Sequence, residues 1–354
     1  MNAERRNGAQ EPIRLSDHFS YGRLIRFTMP TIIMMIFTSI YSVVDGLFVS
    51  NVVGKTEFAA LNFVFPFIMV LGGAGFMIGT GGTALVAQQL GQGNKEKANR
   101  YFNMMVCFTV LLGILLAAIG IAVIRPVCVL LGATPEMMEG CVLYGRIVIA
   151  FTPAFMLQNV FQSFLTAAEK PKLGLFVTVA AGLTNAALDA LFIVGFRWGL
   201  AGAALATGIG QALTLTIYLV VYLARPIRVH IRRQYILPSK KMVIKLYSIG
   251  IPATLNLALP SLLISALNAI LAAYSEVYIL VLGIYYKLQT FVYLPANGIV
   301  QGMRPLIGYN YGAGEHKRVS QIYQIVLCMS GIIMVLGTAI CLLIPGQLMG
   351  LFTH

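Results

Sequence analysis

Residues 101–124 read YFNMMVCFTVLLGILLAAIGIAVI, a stretch without a single charged side chain. A transmembrane helix needs about 20 consecutive apolar residues, whereas a transmembrane β-strand alternates apolar and polar side chains over about ten. The whole chain of 354 residues is 58% hydrophobic and 10% charged, against roughly 45–50% apolar and about 25% charged residues in soluble domains. The sequence therefore predicts an all-α membrane protein and excludes a soluble globular one.

Eight further apolar stretches surround this one, so we expect nine transmembrane helices. Prolines within the stretches, such as Pro30 and Pro153, predict that several helices are bent or broken. The polar segment 1–24 mixes both charge signs and lacks the basic-then-apolar order of a signal peptide. The expected spans are 25–50, 58–90, 101–124, 140–164, 173–195, 199–223, 247–272, 277–303 and 320–344.

The positive charges indicate the topology of the chain. Nineteen of its 25 lysine and arginine residues fall in loops on the side of the N-terminus, and three fall in loops on the other side. By the positive-inside rule, the N-terminus lies in the cytoplasm. The net charge of +13 thus reflects topology, and no nucleic-acid partner is expected. The densest basic stretch, 225–245, is expected to contact anionic membrane lipid.

An internal repeat relates the two ends of the chain. Gly-x-Gly followed by charged residues occurs at Gly91 and again at Gly312, 221 residues later. A proline in the first span, Pro30, returns in the seventh as Pro252, 222 residues later. The unit holds six helices, and an even number returns the chain to its starting side. We therefore expect two parallel six-helix repeats, an arrangement found in secondary transporters.

Two complete units would take about 442 residues, so the second repeat is expected to be incomplete, with three of six helices. We interpret the chain as a C-terminally shortened twelve-span protein, and a complete nine-span protein is the alternative. The predicted organisation is a cytoplasmic segment, a six-helix N-lobe, a basic cytoplasmic linker and a partial C-lobe. Their boundaries are 1–24, 25–224, 225–246 and 247–354.

Only two of the twelve acidic residues, Asp45 and Asp189, lie well inside spans. With a rise of about 1.5 Å per residue, they lie about 30 and 24 Å from the inner ends of their spans, both in the outer half of the membrane. Asn185 shares the helical face of Asp189, and Thr207 reaches the same level from the sixth span. Intramembrane carboxylates are functional candidates, and these oxygens suit a hard cation or a shared proton. Interhelical hydrogen bonding is the structural alternative for all four residues.

Other side chains within the spans are candidates for a substrate cleft. Tyr41, Phe65 and Phe155 could line an adaptable apolar cleft for flat cations, or could be ordinary core and lipid-facing residues. Lys287 could supply a counter-charge, or its long side chain could extend along a cavity. The chain lacks a G-x-x-x-x-G-K-[ST] phosphate loop and the common hydrolase motifs, so we expect neither an enzyme nor a cofactor.

At these residues the chain resembles the multidrug and toxic compound extrusion (MATE) family, near its bacterial MepA-like branch. The resemblance rests on Pro30, on the VDGLF stretch at 44–48, on the Asn185 and Asp189 pair, and on RPLIGYNYGAG at 304–314. It implies two six-helix lobes around a central cleft that faces outward and inward in turn. It also implies that Asp45, Asn185, Asp189 and Thr207 bind the coupling cation, H⁺ or Na⁺, with no other metal.

The resemblance implies a multidrug antiporter of the bacterial inner membrane that confers antibiotic resistance. Its substrates would be organic cations or amphipathic drugs, and we expect the protein to be a monomer surrounded by membrane lipid. A lipid-linked oligosaccharide flippase of the same superfamily is one alternative, although its cleft should be more basic. A truncated membrane remnant without transport activity is the other.

Overall fold

The computed structural model describes residues 13–224, 240–272 and 276–350. Within these ranges the chain forms α-helices and two π-helical segments, and no strand occurs, so the all-α prediction is confirmed. The elements are α1 (Tyr21–Phe48), a first π-helical segment (Val49–Val53), α2 (Lys55–Gly91), α3 (Lys95–Leu131), α4 (Pro135–Ala150), α5 (Thr152–Ala167), α6 (Pro171–Asp189), a second π-helical segment (Ala190–Gly195), α7 (Gly199–Ala224), α8 (Lys240–Ala272), α9 (Glu276–Gly312), α10 (His316–Leu343) and α11 (Pro345–Gly350).

Helices lie at all nine predicted spans. Among the described residues, six helices are long and apolar enough to cross a membrane, or seven when α4 and α5 count as one span. The predicted fourth span is thus broken: α4 and α5 meet at 50°, and Pro153 lies in the first turn of α5. Proline is tolerated there because the first turn leaves backbone N–H groups unpaired in any case.

The predicted division into lobes and linker stays a prediction. Helix α8 begins at Lys240, so the last part of the expected linker 225–246 is helical, and 225–239 lies outside the described residues. Of the predicted N-terminal segment 1–24, the described part begins at Ile13 and enters α1 at Tyr21.

A cluster of fully buried aromatic side chains joins α3, α5 and α7 in the first half of the chain. The ring of Phe102 stacks on Tyr222, with centroids 5.5 Å apart, and meets Phe164 edge-on at 4.9 Å. The Tyr222 hydroxyl donates a hydrogen bond to the carbonyl of Phe161 at 3.1 Å, which satisfies its polar atom inside the core. These rings are part of a larger buried core that also includes residues of α2 and α6.

Glycines let the two halves approach at the level of the backbone. A Cβ atom at Gly91 in α2 would overlap the carbonyl of Tyr309 in α9, and one at Gly312 in α9 would overlap the carbonyl of Gln88. Likewise, a Cβ atom at Gly250 in α8 would lie 2.7 Å from the carbonyl of Met77 in α2. Small residues allow such close crossings of membrane helices. The C-terminal half of α2 is therefore a main seam between the halves.

The segment before α1 bridges the same halves. The N–H of Leu15 donates to Glu169 Oε1 at 2.6 Å, at the turn between α5 and α6, and the carbonyl of Leu15 accepts from Asn310 Nδ2 at 3.1 Å, on α9. The Leu15 side chain is fully buried in a small core together with Phe27 and Leu306. Residues 13–20 thus close the end of the molecule where α1 begins.

Candidate functional site

The two acidic candidates, Asp45 and Asp189, lie near the ends of α1 and α6, where the regular α-helical geometry of each helix ends. Asp189 is the last residue of α6, and the π-helical segment Ala190–Gly195 follows it directly. Asp45 lies three residues before the end of α1, which also continues into a π-helical segment. Departures of this kind within helices are frequent at functional sites because they turn side chains and backbone groups away from their usual partners.

Asp45 and Asp189 face each other. Their carboxyl groups lie close enough to share a hydrogen bond once one of them carries a proton. Asp189 is completely buried, and Asn185, one turn earlier on α6, is 4% exposed. The structure therefore brings together the two acids that are separated by 144 positions in the chain, as the depth argument predicted.

These buried oxygens lack protein donors. Within the described part of the chain, Oδ1 of Asp45, both carboxylate oxygens of Asp189 and Oδ1 of Asn185 have no hydrogen-bond partner. Two ionised carboxylates cannot donate to each other, and a buried polar group without a partner costs free energy. A proton or a small cation between the acids would remove this cost.

Two tyrosine hydroxyl groups lie near the pair, and a threonine hydroxyl lies near one of them. Tyr41 lies one turn before Asp45 on α1, beside both carboxyl groups. Tyr144 of α4 also lies near both acids, and its hydroxyl neighbours Thr207 of α7. Hydroxyl oxygens can accept from a protonated acid or coordinate a hard cation. Residues from α1, α4, α6 and α7 thus converge at one place.

Sequence reasoning missed Tyr144. The residue is 4% exposed and lies in the middle of an apolar span, where a tyrosine hydroxyl needs a partner. That is the signal that could have identified it. Tyr41, which we expected in a substrate cleft, lies near the acids, and its role in a cleft stays a prediction.

Glycines on α6 and α7 allow the helices of the site to pack closely. A Cβ atom at Gly182 would lie 2.6 Å from the ring of Phe37 on α1, which is too close, and 3.6 Å from the Tyr41 ring, which is an ordinary contact. A Cβ atom at Gly210 on α7 would lie 3.5 Å from the Asn185 side chain. Gly182 is therefore required for the close packing of α6 on Phe37, whereas a methyl group at Gly210 would make only ordinary contacts with Asn185.

The other predicted cleft residues lie on α2, α5 and α9. Phe65 of α2 is 42% exposed, whereas the Phe155 ring of α5 packs against Gly72 of α2. Lys287 lies on α9, and its side chain is outside the described part of the structure. The role of these three residues in substrate binding stays a prediction.

The chemistry of the site is limited to two carboxylates with neutral oxygens around them. No group of three or more histidine, cysteine or acidic side chains suited to a metal ion occurs among the residues that the structure describes. Two acids and several hydroxyl or amide oxygens suit a single proton or a monovalent cation, since divalent ions generally take more carboxylate and water ligands.

Comparison with known proteins identifies the family. The family model described as MatE matches residues 30–191 and again 252–354. This chain belongs to the MatE family. The two matched segments of this MatE protein begin 222 residues apart, which equals the spacing between Pro30 and Pro252. The predicted membership of the MATE family is confirmed, and it indicates a transporter rather than an enzyme.

Relatives in staphylococci share the family and most of the length. The multidrug export protein MepA of Staphylococcus saprophyticus is 24% identical over 94% of this chain and 73% of its own length. The protein of the same name from Staphylococcus aureus strain MSSA476 is 25% identical over 93% of this chain and 73% of its own length.

Solved structures of MATE transporters share the fold. One is an outward-facing conformation of a multidrug resistance MATE transporter of the MOP superfamily, with a TM-score of 0.87, 22% identity and coverage of 96% of this chain and 75% of the other. Another is a MOP superfamily transporter from Pyrococcus furiosus whose binding pocket is described as reversed in polarity, again with a TM-score of 0.87, 22% identity and the same coverage.

Proposed function

We propose that this protein exports organic cations or amphipathic drugs in exchange for H⁺ or Na⁺. The observation that carries the proposal is the pair Asp45 and Asp189, in which Oδ1 of Asp45 and both carboxylate oxygens of Asp189 are buried without a protein donor. The drug-export activity named for its relatives in staphylococci supports the choice of substrate class.

The ion would bind between the two acids, with Asn185, Thr207 and Tyr144 as neutral oxygen donors around it. Binding would neutralise charge that is otherwise buried, so α1 and α6 could approach each other more closely. Helix α1 carries Pro30 in its interior, where no helical hydrogen bond forms, and a helix bends most easily at such a point. Ion binding at Asp45 would thereby change the course of α1 and the shape of the cleft.

The membrane potential supplies enough energy for this exchange. One charge that moves inward gains about 2.3 kcal/mol per 100 mV, which corresponds to a concentration ratio of about 50 for the exported drug. ATP hydrolysis is therefore not needed, in agreement with the lack of a phosphate loop in the sequence.

The conformation supports a cleft that opens away from the N-terminus. On α2, the residues from Met77 to Leu90 are largely buried, several of them against α8 and α9, whereas Phe65, Met69 and Val70 are exposed. We place the N-terminus in the cytoplasm of a bacterium, because of the positive charge on that side, and the cleft then faces outward. The protein would act as a monomer within the lipid of the cytoplasmic membrane.

The test is drug transport by the purified protein in lipid vesicles under an imposed H⁺ or Na⁺ gradient. Asp45→Asn and Asp189→Asn should each abolish gradient-driven drug movement, since neither amide can exchange a proton. Glu139→Gln is the matched control, because Glu139 is an exposed acid paired with Arg125 at the surface, and it should transport normally. Unchanged transport in both aspartate variants would overturn the assignment of the ion site.

A further inference from the structure

A groove lies between α1 and α6 on the outside of the helix bundle. Its volume is about 510 Å³, within the range of about 300–1,000 Å³ typical of ligand pockets. One face of α1 and one face of α6 form its walls, as expected for residues spaced three and four apart in a helix. The lining residues are Gly22, Ile25, Arg26, Met29, Pro30, Ile33, Lys172, Leu175 and Phe176.

Most of this surface is apolar and uncovered. Met29 is 41% exposed, Ile33 is 43% exposed and the large ring of Phe176 is 70% exposed. Gly22 has no side chain, and the space beside it at the end of the groove is open. Pro30 has no N–H group, so the carbonyl of Arg26 in the preceding turn lacks its helical donor. The groove is thus a largely apolar channel.

Both charged residues of the groove are basic, and they lie at the same end. Arg26 follows the start of α1, and Lys172 follows the start of α6. Neither forms an ion pair with an acid in the described ranges. Glu169, the nearest acid along the chain, is held by the N–H of Leu15. Two positive charges therefore face the groove without a negative partner in its lining.

We propose that this groove binds an anionic phospholipid. The headgroup phosphate would lie between Arg26 and Lys172, and an acyl chain would lie along Met29, Ile33 and Phe176. Basic pockets between transmembrane helices on the cytoplasmic side are suited to anionic headgroups, and an arginine fork binds phosphate oxygens in pairs. In the orientation proposed above, the lipid comes from the cytoplasmic leaflet.

The position of the groove gives the lipid a mechanical role. Its walls are α1 and α6, the helices that carry Asp45 and Asp189 near their opposite ends. A lipid that contacts both walls would hold the two helices together near Pro30, where α1 is most easily bent. The bound lipid would therefore stabilise one arrangement of the ion-site helices.

The test is native mass spectrometry of the purified protein with phosphatidylglycerol or zwitterionic phosphatidylcholine added. The wild-type protein should retain phosphatidylglycerol more tightly. In the double variant Arg26→Gln with Lys172→Gln, phosphatidylglycerol affinity should fall about 30-fold, since each basic residue near an anionic lipid surface contributes about fivefold. The control is Lys97→Gln with Arg100→Gln, two exposed basic residues on α3, and it should retain wild-type affinity.

Three outcomes would overturn the proposal: equal affinity for both lipids, an unchanged affinity in the groove variant, or an equal loss in the control variant. The binding of inorganic phosphate is measured as well. If free phosphate binds at Arg26 and Lys172 as tightly as phosphatidylglycerol does, the site belongs to a soluble anion instead. Phe176→Ala keeps both charges, so it should weaken the binding of the lipid but not the binding of free phosphate. None of these measurements requires drug transport, so they stand apart from the test of the antiport.

Discussion

The side-chain amide of Asn310 donates a hydrogen bond to the backbone carbonyl of Leu15 at 3.1 Å, although the two residues are 295 positions apart. Asn310 is completely buried and also donates to the carbonyl of Leu306, one turn earlier on α9. The N–H of Leu15 donates a hydrogen bond to Glu169 of the first half. The backbone of Leu15 therefore links the two halves.

Asn310→Leu should therefore destabilise the protein. Leucine has a similar volume but cannot donate, and the buried carbonyl of Leu15 would lose its partner at a cost of about 1–3 kcal/mol. The measurement is the thermal unfolding midpoint in detergent, which should fall by several degrees. Asn62→Leu is the control, because the exposed Asn62 bonds only the preceding turn of its own helix. Equal midpoints for the two variants would contradict the bridging role.

Arg304 provides a second link, from α9 to α2. Its Nη1 atom lies 3.1 Å from Thr80 Oγ1 and 2.8 Å from Gln301 Oε1, and the guanidinium lies 5.9 Å from the centre of the Phe76 ring. Arg304→Met keeps an unbranched apolar stem but lacks the guanidinium, so it removes these contacts. We expect the ends of the halves near Gly91 and Gly312 to separate more often, because hydrogen bonds to charged groups contribute about 1.5–3 kcal/mol.

The separation can be followed with spin labels at Lys97→Cys and Lys317→Cys, in a protein whose five native cysteines are replaced. These exposed positions begin α3 and α10, one in each half. Arg304→Met should add a longer distance to the distribution, and Arg100→Met should leave it unchanged. An unaltered distribution in Arg304→Met would show that the arginine does not hold the halves together.

Gly91 permits the closest approach of α2 to α9, and Gly91→Ala should disrupt it. The added methyl group would overlap the backbone carbonyl of Tyr309, which cannot move without displacing the helix, and overpacking of this kind costs about 1–3 kcal/mol. Gly73→Ala lies on the same helix with no atom within 4 Å of the new Cβ, and should be neutral or slightly stabilising. The thermal unfolding midpoints of both variants are compared. An unchanged midpoint in Gly91→Ala would contradict close packing of α2 against α9 at this position.

Tyr144→Phe should weaken ion coupling without unfolding the protein. The substitution removes only the hydroxyl that neighbours Thr207 and the two acids, and the loss of one hydrogen bond of about 1 kcal/mol corresponds to about a fivefold weaker apparent ion affinity. Drug transport in vesicles over a series of ion concentrations measures this shift. Tyr218→Phe removes a hydroxyl from another fully buried tyrosine, on α7, and should leave the ion dependence unaltered. The same shift in both variants would assign the effect to general packing.

Composition and hydropathy were enough to predict a helical membrane protein, because every backbone polar group in lipid must be satisfied within a helix or a closed barrel. The cost of a buried charge likewise singled out Asp45 and Asp189. The period of the repeat followed from matching residues 221 or 222 positions apart. Prolines predicted bends but not which helix would break, and only the structure shows that the fourth span divides into α4 and α5.

Contacts between helices could not be predicted in the same way. Tyr144, the Leu15 bridge and the basic pair Arg26 and Lys172 each depend on residues far apart in the chain. Their proximity is set by how each helix is rotated and how closely its neighbours approach, which in turn depends on glycines such as Gly182 and Gly91. The sequence by itself thus determined the membrane-spanning helices and the two buried acids, because the energetics of polar groups in lipid act on each segment separately. The tertiary structure alone decided which side chains share a site, because helix packing is a property of all the segments together.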